Sequence, residues 1–202
     1  MVKIVAISGS LRKASVNTAV LKAASALAPA DVRIHLFGGL GRIPPFNPDI
    51  DIDGAAPESV STFREAVDMA HGVIIASPEY ASGVSGVLKN ALDWLVSCNL
   101  AFYGKPVALL NTSPRTSVAY NALKQTIRTM AGNVIEEASV LIPLPSMSIT
   151  YDQIMAHQLL CAKIRSCTQA FRDALVAMHP ELAHAADAGD GERGAVGMPA
   201  AS

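Results

Sequence analysis

Three stretches of this chain hold residues that can do chemistry, and each follows a short apolar run. The first is Ser8-Gly9-Ser10-Leu11-Arg12-Lys13-Ala14-Ser15-Val16-Asn17. Gly9 permits a tight turn. The hydroxyls of Ser10 and Ser15, the amide of Asn17 and the guanidinium of Arg12 are hydrogen-bond donors, and the helix starting at Asn17 adds free backbone N–H groups and a partial positive charge. Such a set cradles a phosphate. It lacks the GK[ST] of a nucleotide-hydrolysing loop and the GxGxxG of a dinucleotide site. The same residues also read as an ordinary turn with Ser15 or Asn17 as helix cap.

The second stretch is Ser77-Pro78-Glu79-Tyr80-Ala81-Ser82-Gly83-Val84-Ser85-Gly86. Pro78 stiffens the chain, and Gly83 and Gly86 let backbone approach a flat ligand. Backbone amides near Ser82 and Gly83 can bond the polar edge of a ring, and Tyr80 offers an aromatic face. Glu79 reads as a catalytic acid or, more often for a lone acid at a turn, as a structural anchor or helix-end partner. The third stretch is Asn111-Thr112-Ser113-Pro114-Arg115-Thr116-Ser117, whose small hydroxyl residues can wall the other side of a ring. Arg115 reads equally as an anion contact or a solvated loop residue.

These stretches need elements to hold them. Residues 2–7 (VKIVAI) and 72–77 (GVIIAS) are β-branched and almost wholly apolar, the pattern of strands buried on both faces. Further strands are expected over 32–37, 106–111 and 133–142. Helical periods cover 17–27, 57–70, 85–97 and 118–131, with Gly132 at a stop position, and one long closing helix covers 151–178. Strand and helix therefore alternate five times, which implies parallel strands, right-handed crossovers and helices on both faces. Five βα units match a flavodoxin-like α/β sandwich whose five-stranded parallel sheet has the order 2-1-3-4-5, and ligands in such sheets bind beyond the carboxyl ends of the strands. The Gly-, Pro- and Asp-rich segment 38–56 reads as a long functional loop. Residues 1–180 read as one domain and 181–202 as a flexible tail with little to bury.

Bulk properties narrow the function. The 202 residues are 50% apolar and 16% charged, with 16 basic and 17 acidic groups and a net charge of −1. That balance argues against nucleic acid as a partner and against the acidic surface of an electron shuttle. No run reaches the roughly 18 apolar residues of a membrane span, so the positive mean hydropathy implies a heavily buried core and an oligomer interface. The three cysteines, Cys98, Cys161 and Cys167, form no CxxC pair, which fits a reducing cytoplasm. The five histidines show no metal-ligand spacing.

The two motifs GSLRKASVN (Gly9 to Asn17) and SPEYASGVSGVLKNALDW (Ser77 to Trp94) resemble, in that order, those of the NADPH-dependent FMN reductase family. The strand pattern agrees across residues 2 to 180. The resemblance implies FMN as cofactor and NADPH as electron donor. Hydride passes to flavin N5, and two electrons then pass to a small-molecule acceptor: a quinone, an azo dye, a metal oxyanion or free flavin. It places the FMN phosphate on Ser10, Arg12, Ser15, Val16 and Asn17. It lays Pro78, Glu79, Tyr80, Ser82 and Gly83 along the ring, with Ser113 and Arg115 on its remaining side. The chemistry is the flavin's, so no catalytic side chain or metal is implied. Arg115 or Arg42 is the candidate reader of the extra phosphate of NADPH. The helix carrying Lys89, Asn90 and Trp94 resembles the family's dimer-forming helix, and a homodimer or homotetramer is expected. Family members commonly carry Asn directly after the Tyr, where this chain has Ala81, so an amide contact is lost there. An electron-transfer flavoprotein without its own nicotinamide site is the alternative.

Overall fold

The computed structural model describes residues 1–52, 55–96, 102–113, 117–146 and 148–183. In chain order the elements are β1 (Val2–Ser8), α1 (Val16–Ala26), β2 (Val32–Leu36), α2 (Glu58–Asp68), β3 (Gly72–Ala76), β4 (Glu79–Tyr80), β5 (Gly83–Val84), α3 (Gly86–Val96), β6 (Pro106–Asn111), α4 (Val118–Thr129), β7 (Asn133–Val134), β8 (Val140–Leu141), α5 (Tyr151–Met155) and α6 (Gln158–Met178). The parallel sheet runs β2-β1-β3-β6-β7, with β8 also on β6. Leaving out the small antiparallel hairpin β4–β5, this is the expected order 2-1-3-4-5.

The apolar strands are explained by two cores, one on each face. Ile4, Ala6, Ile74, Ala108 and Leu110 pack with α1, α5 and α6, while Val5, Ile7, Val73, Ile75, Val107 and Leu109 pack with α2, α3 and α4. Neighbours in sequence point to opposite faces, so both parities must be apolar. The first core continues past α6 to Leu182, which is buried. No helix among the described residues is long and apolar enough to cross a membrane.

The expected fifth strand over 133–142 is broken. Two residues separate the paired positions Val107 and Leu110 on β6, whereas five separate their partners Val134 and Val140. The surplus is taken up by a 3₁₀ turn at Glu136–Ala138. It carries the chain away from the ladder, and the Ser139 hydroxyl replaces a backbone acceptor by receiving the Leu109 N–H at 3.0 Å. The closing helix is likewise two helices. α5 ends at Ala156, and His157, in extended conformation, caps α6. The break has neither Gly nor Pro to mark it. Its cost is offset by the Cys161 thiol, which donates to the Ile154 and Met155 carbonyls at 3.4 Å.

Gly132 does not supply the left-handed residue that ends α4. Ala131 does, at φ 59°. The N–H of Gly132 bonds the Ile127 carbonyl at 2.9 Å and that of Ala131 the Arg128 carbonyl at 3.0 Å, the two bonds of a Schellman cap. Gly132 is needed for space instead: a Cβ there would lie 2.6 Å from Phe102 and 2.8 Å from the Ile127 side chain.

The loop over 38–56 is tied down by α3. Asn90 accepts the Phe46 N–H at 2.7 Å and donates to the Pro44 carbonyl at 2.8 Å, which also receives the Trp94 indole N–H at 2.8 Å. Phe46 meets the buried Trp94 ring edge-on at 5.1 Å. Of the three residues read as an interface helix, only Lys89 is exposed, beside Asp93. Asn90 and Trp94 turn their polar atoms toward the Pro44-Pro45-Phe46 turn and pair its backbone.

Candidate functional site

The carboxyl ends of β1, β3 and β6 bring the three chemically distinctive stretches together. The first two are joined by backbone: the Gly9 N–H bonds the Ala76 carbonyl at 2.8 Å, extending the β1–β3 ladder by one step. That approach explains the glycine, since a Cβ at position 9 would lie 2.5 Å from Ser77 Oγ and 3.0 Å from Ser85 Oγ. Ser85 Oγ is buried there without a hydrogen-bond partner.

The chain then turns into α1. Ser15 is the N-cap, its Oγ accepting the Thr18 N–H at 3.2 Å, and Thr18 in turn donates to Ser8 Oγ at 2.8 Å. Ser10 Oγ accepts the Arg12 N–H at 3.3 Å. The cap reading and the cradle reading of this loop are therefore compatible. One N–H is satisfied by Ser15, while the N–H groups of Val16 and Asn17 have no acceptor among the described residues.

Asn17 is buried, and Thr112, from the end of β6, donates its hydroxyl to Asn17 Oδ1 at 2.8 Å. With its oxygen engaged, the amide presents its Nδ2 donors elsewhere. Thr112 thus links the third stretch to the first. A hydroxyl directly after an apolar strand was the only sign of this in the sequence, and it did not single out Thr112 from Ser113. Ser113 itself turns its N–H onto Asn111 Oδ1 at 2.9 Å.

The second stretch is a two-residue β-hairpin. Tyr80 pairs with Gly83 across Ala81 (φ 48°) and Ser82 (φ 58°). Both central residues are left-handed, as the right-handed twist of a tight hairpin demands, and neither is the Asn or Gly that accepts this most readily. Glu79 caps a helix: its Oε2 accepts the Ala119 N–H at 3.2 Å in the first turn of α4, where the Ser117 side chain makes no cap bond. A carboxylate at that end also meets the positive pole of the helix. The anchor reading of Glu79 therefore describes its geometry, and its carboxylate is engaged.

Ser10, Arg12, Ser15, Val16 and Asn17 from the first stretch, Pro78, Glu79 and Tyr80 from the second, and Thr112 and Ser113 from the third line one open cleft of about 150 Å³. Ser82 and Gly83 lie at the hairpin tip beside it rather than in its wall. Arg115 lies outside the described residues. Arg42 lines a different groove, with Phe37 and Glu58. The cleft's chemistry is one-sided. At one end stand a guanidinium, two hydroxyls, amide donors and the start of α1, a set that fits a phosphate dianion. At the other stand Pro78 and the half-exposed Tyr80, which fit the flat ring of FMN.

A parallel sheet of this order, with a donor-rich loop after its first strand and a tight hairpin after its third, defines a flavodoxin-like protein. The chain belongs to the NADPH-dependent FMN reductase family, whose pattern it matches over residues 2–144. It is thus an oxidoreductase that uses FMN and NAD(P)H. It is 37% identical to an NAD(P)H-dependent FMN reductase of Pseudomonas aeruginosa over 145 residues, 70% of this chain and 77% of that one. It is 35% identical to a quinone reductase of Escherichia coli over 112 residues, 55% of this chain and 60% of the relative. Among solved structures, the flavoenzyme NAD(P)H:(acceptor) oxidoreductase FerB of Paracoccus denitrificans superposes with a TM-score of 0.64 at 25% identity, over 86% of this chain and 98% of that one.

Proposed function

We propose that this chain reduces quinone-type acceptors by two electrons at the expense of NADPH, with azo compounds, metal oxyanions and free flavin as further acceptors of the same cleft. The observation that carries the reading is the cleft itself, with anion donors at one end and an open, ring-sized wall at the other. Bound FMN supplies the two-electron relay. The protein's part is to bind and orient. Arg12, Ser10, Ser15 and Asn17, with the free N–H groups of α1, hold the phosphate, and Val16 closes the cradle. Pro78, Tyr80 and the hairpin amides at Ser82 and Gly83 lie along the ring, with Glu79 holding the hairpin against α4. Ser113 and Arg115 cover the other side. No side chain has to act as acid or base. The quinone preference is supported by the quinone reductase among the relatives.

The domain ends just beyond the buried Leu182 rather than near residue 180, with the residues that follow as a tail. The working unit is a homodimer or homotetramer in the cytoplasm, a location that suits the free, buried Cys161 and Cys167. The test is an anaerobic titration. The purified protein takes up FMN, the flavin bands bleach on NADPH, and they return on adding benzoquinone. Bands that persist under NADPH would make the protein an electron shuttle without its own nicotinamide site.

A further inference from the structure

On the outer side of the first stretch a second groove, of about 210 Å³, runs between the starts of α1 and α5. Lys13, Lys22 and Tyr151 line it, and no carboxylate does. Ser15 lines both this groove and the cleft, so the two share a wall. The hydroxyl oxygens here already take part in hydrogen bonds within the chain. Ser15 Oγ accepts from Thr18 N–H, Thr18 Oγ1 donates to Ser8, and Thr150 Oγ1 accepts the Gln153 N–H at 3.3 Å. Besides the Ser15 and Thr150 O–H groups, which accept but do not donate among the described residues, the groove is lined by the ammonium groups of Lys13 and Lys22 and the phenol of Tyr151.

Lys89 pairs with Asp93 and Lys124 with Glu136, whereas Lys13 and Lys22 share one groove with no carboxylate in its lining. Two unpaired ammonium groups in one groove repel each other and focus a positive potential that a dianion relieves. Arg42 is the poorer reader of an anion, because Glu58 shares its groove.

We propose that this groove takes the 2′-phosphate that distinguishes NADPH from NADH, held by Lys13 and Lys22, with Tyr151 as the wall for the adjoining adenosine. The assignment rests on the reductase reading and names the donor preference of that site. It requires the dinucleotide to run from the ring end of the cleft over the Ser15 wall.

The test uses the FMN-loaded full chain and its Lys13→Ala/Lys22→Ala variant, both positions being exposed and free of folding duties. Adenosine 2′,5′-bisphosphate and AMP are titrated calorimetrically, and KM is measured for NADPH and NADH. The variant is expected to lose about tenfold in bisphosphate affinity and to gain about tenfold in KM for NADPH, the scale of two solvent-facing ammonium–phosphate pairs. AMP binding, KM for NADH and the FMN dissociation constant should stay within about twofold. Equal rises in KM for NADPH and NADH, unchanged bisphosphate affinity, or no measurable bisphosphate binding by the parent protein overturn the assignment. Weakened FMN binding would instead give the lysines to the flavin phosphate and overturn it too. Failure of the parent protein to oxidise either dinucleotide would overturn the reductase reading itself, and the bisphosphate titration then judges the groove alone.

Discussion

Replacing Thr112 with valine tests whether the site depends on an oriented amide. Thr112 is 1% exposed and Asn17 is 4% exposed, and the hydroxyl of one donates to Oδ1 of the other at 2.8 Å. Valine keeps the shape and exchanges the hydroxyl for a methyl. The net worth of such a bond is about 1 kcal/mol, and stranding the buried partner oxygen raises the loss to about 2 kcal/mol. In a chain of this size that lowers the melting temperature of the apoprotein by roughly 4–8 °C. Flavin binding should suffer separately. An amide released from Thr112 can present its oxygen to the phosphate instead of its Nδ2 donors, and the FMN dissociation constant should rise about tenfold, equivalent to about 1.4 kcal/mol. Thr112→Ser retains the hydroxyl and loses the methyl. It should give up about 1 kcal/mol of stability yet bind FMN within about twofold of the parent. Urea titration of the apoprotein and quenching of flavin fluorescence measure the two quantities. Parental FMN affinity in the valine variant refutes the reasoning. So does equal weakening in both variants, which would assign the effect to packing.

Ala131→Gly, at φ 59° in the α4 cap, should raise the urea midpoint by the equivalent of about 1 kcal/mol, and Ala81→Asn, at φ 48° in the hairpin, by about half that. Unchanged midpoints would mean that these left-handed residues carry no strain. Gly9→Ala places a methyl 2.5 Å from Ser77 Oγ and should cost about 1–3 kcal/mol, together with FMN affinity, since it separates the loops after β1 and β3; a titration showing parental affinity would contradict that coupling. Stability should fall as pH drops through the histidine range, because His71 Nδ1 accepts the Lys3 N–H at 2.9 Å and is held neutral. Burial, then His179, Lys3, the N-terminal amine and Lys105, push its pKa below 6.5. The unfolded chain then takes up the proton first, so this stability is complete above pH 6.5 and is lost as pH falls from there toward the folded value. His179 lies beside His71 and is partnered by Glu181, so the comparison is with His71→Asn, which keeps an acceptor and should flatten the profile between about pH 7 and 5; equal slopes would remove His71 as the cause.

The two-sided core was legible because a strand buried on two faces must be apolar at every position, and β1 and β3 are; the strand order was not, and came only from matching five βα units to the flavodoxin-like fold. The convergence of the first and third stretches on one cleft was foreshadowed because donor side chains cluster where a helix must begin and follow the carboxyl ends of strands. The split of the closing helix was not. Its apolar period continues across Ala156 and His157, and the Thr150 and Gln153 capping box marks only the start of α5, which a single helix would share. The broken fifth strand was hidden in the same way, since a 3₁₀ turn of Glu136–Ala138 leaves hydropathy on either side unchanged. Gly132 shows the limit of reading a residue type by its commonest use. A glycine after a helix signals a left-handed cap, yet here tertiary contact with Phe102 and Ile127 claimed it and left the strained angle to Ala131.

The same competition explains why Asn90, Trp94 and Glu79 could not be assigned from spacing. Each is a polar group whose partner is a backbone atom distant in sequence: Pro44 for the first two, Ala119 for the third. Only the fold brings these partners near. Their effect on the site follows from the bracing they create. Gly9 holds the first loop to β3, Thr112 holds the third to α1, and Glu79 holds the hairpin to α4. A hairpin fixed at its base by Glu79 can keep two left-handed residues at its tip, whereas a free loop would relax them. If the proposed function holds, a site that only binds and orients a ring has more use for that rigidity than for a free carboxylate, and Glu79, engaged by the Ala119 N–H, suits it.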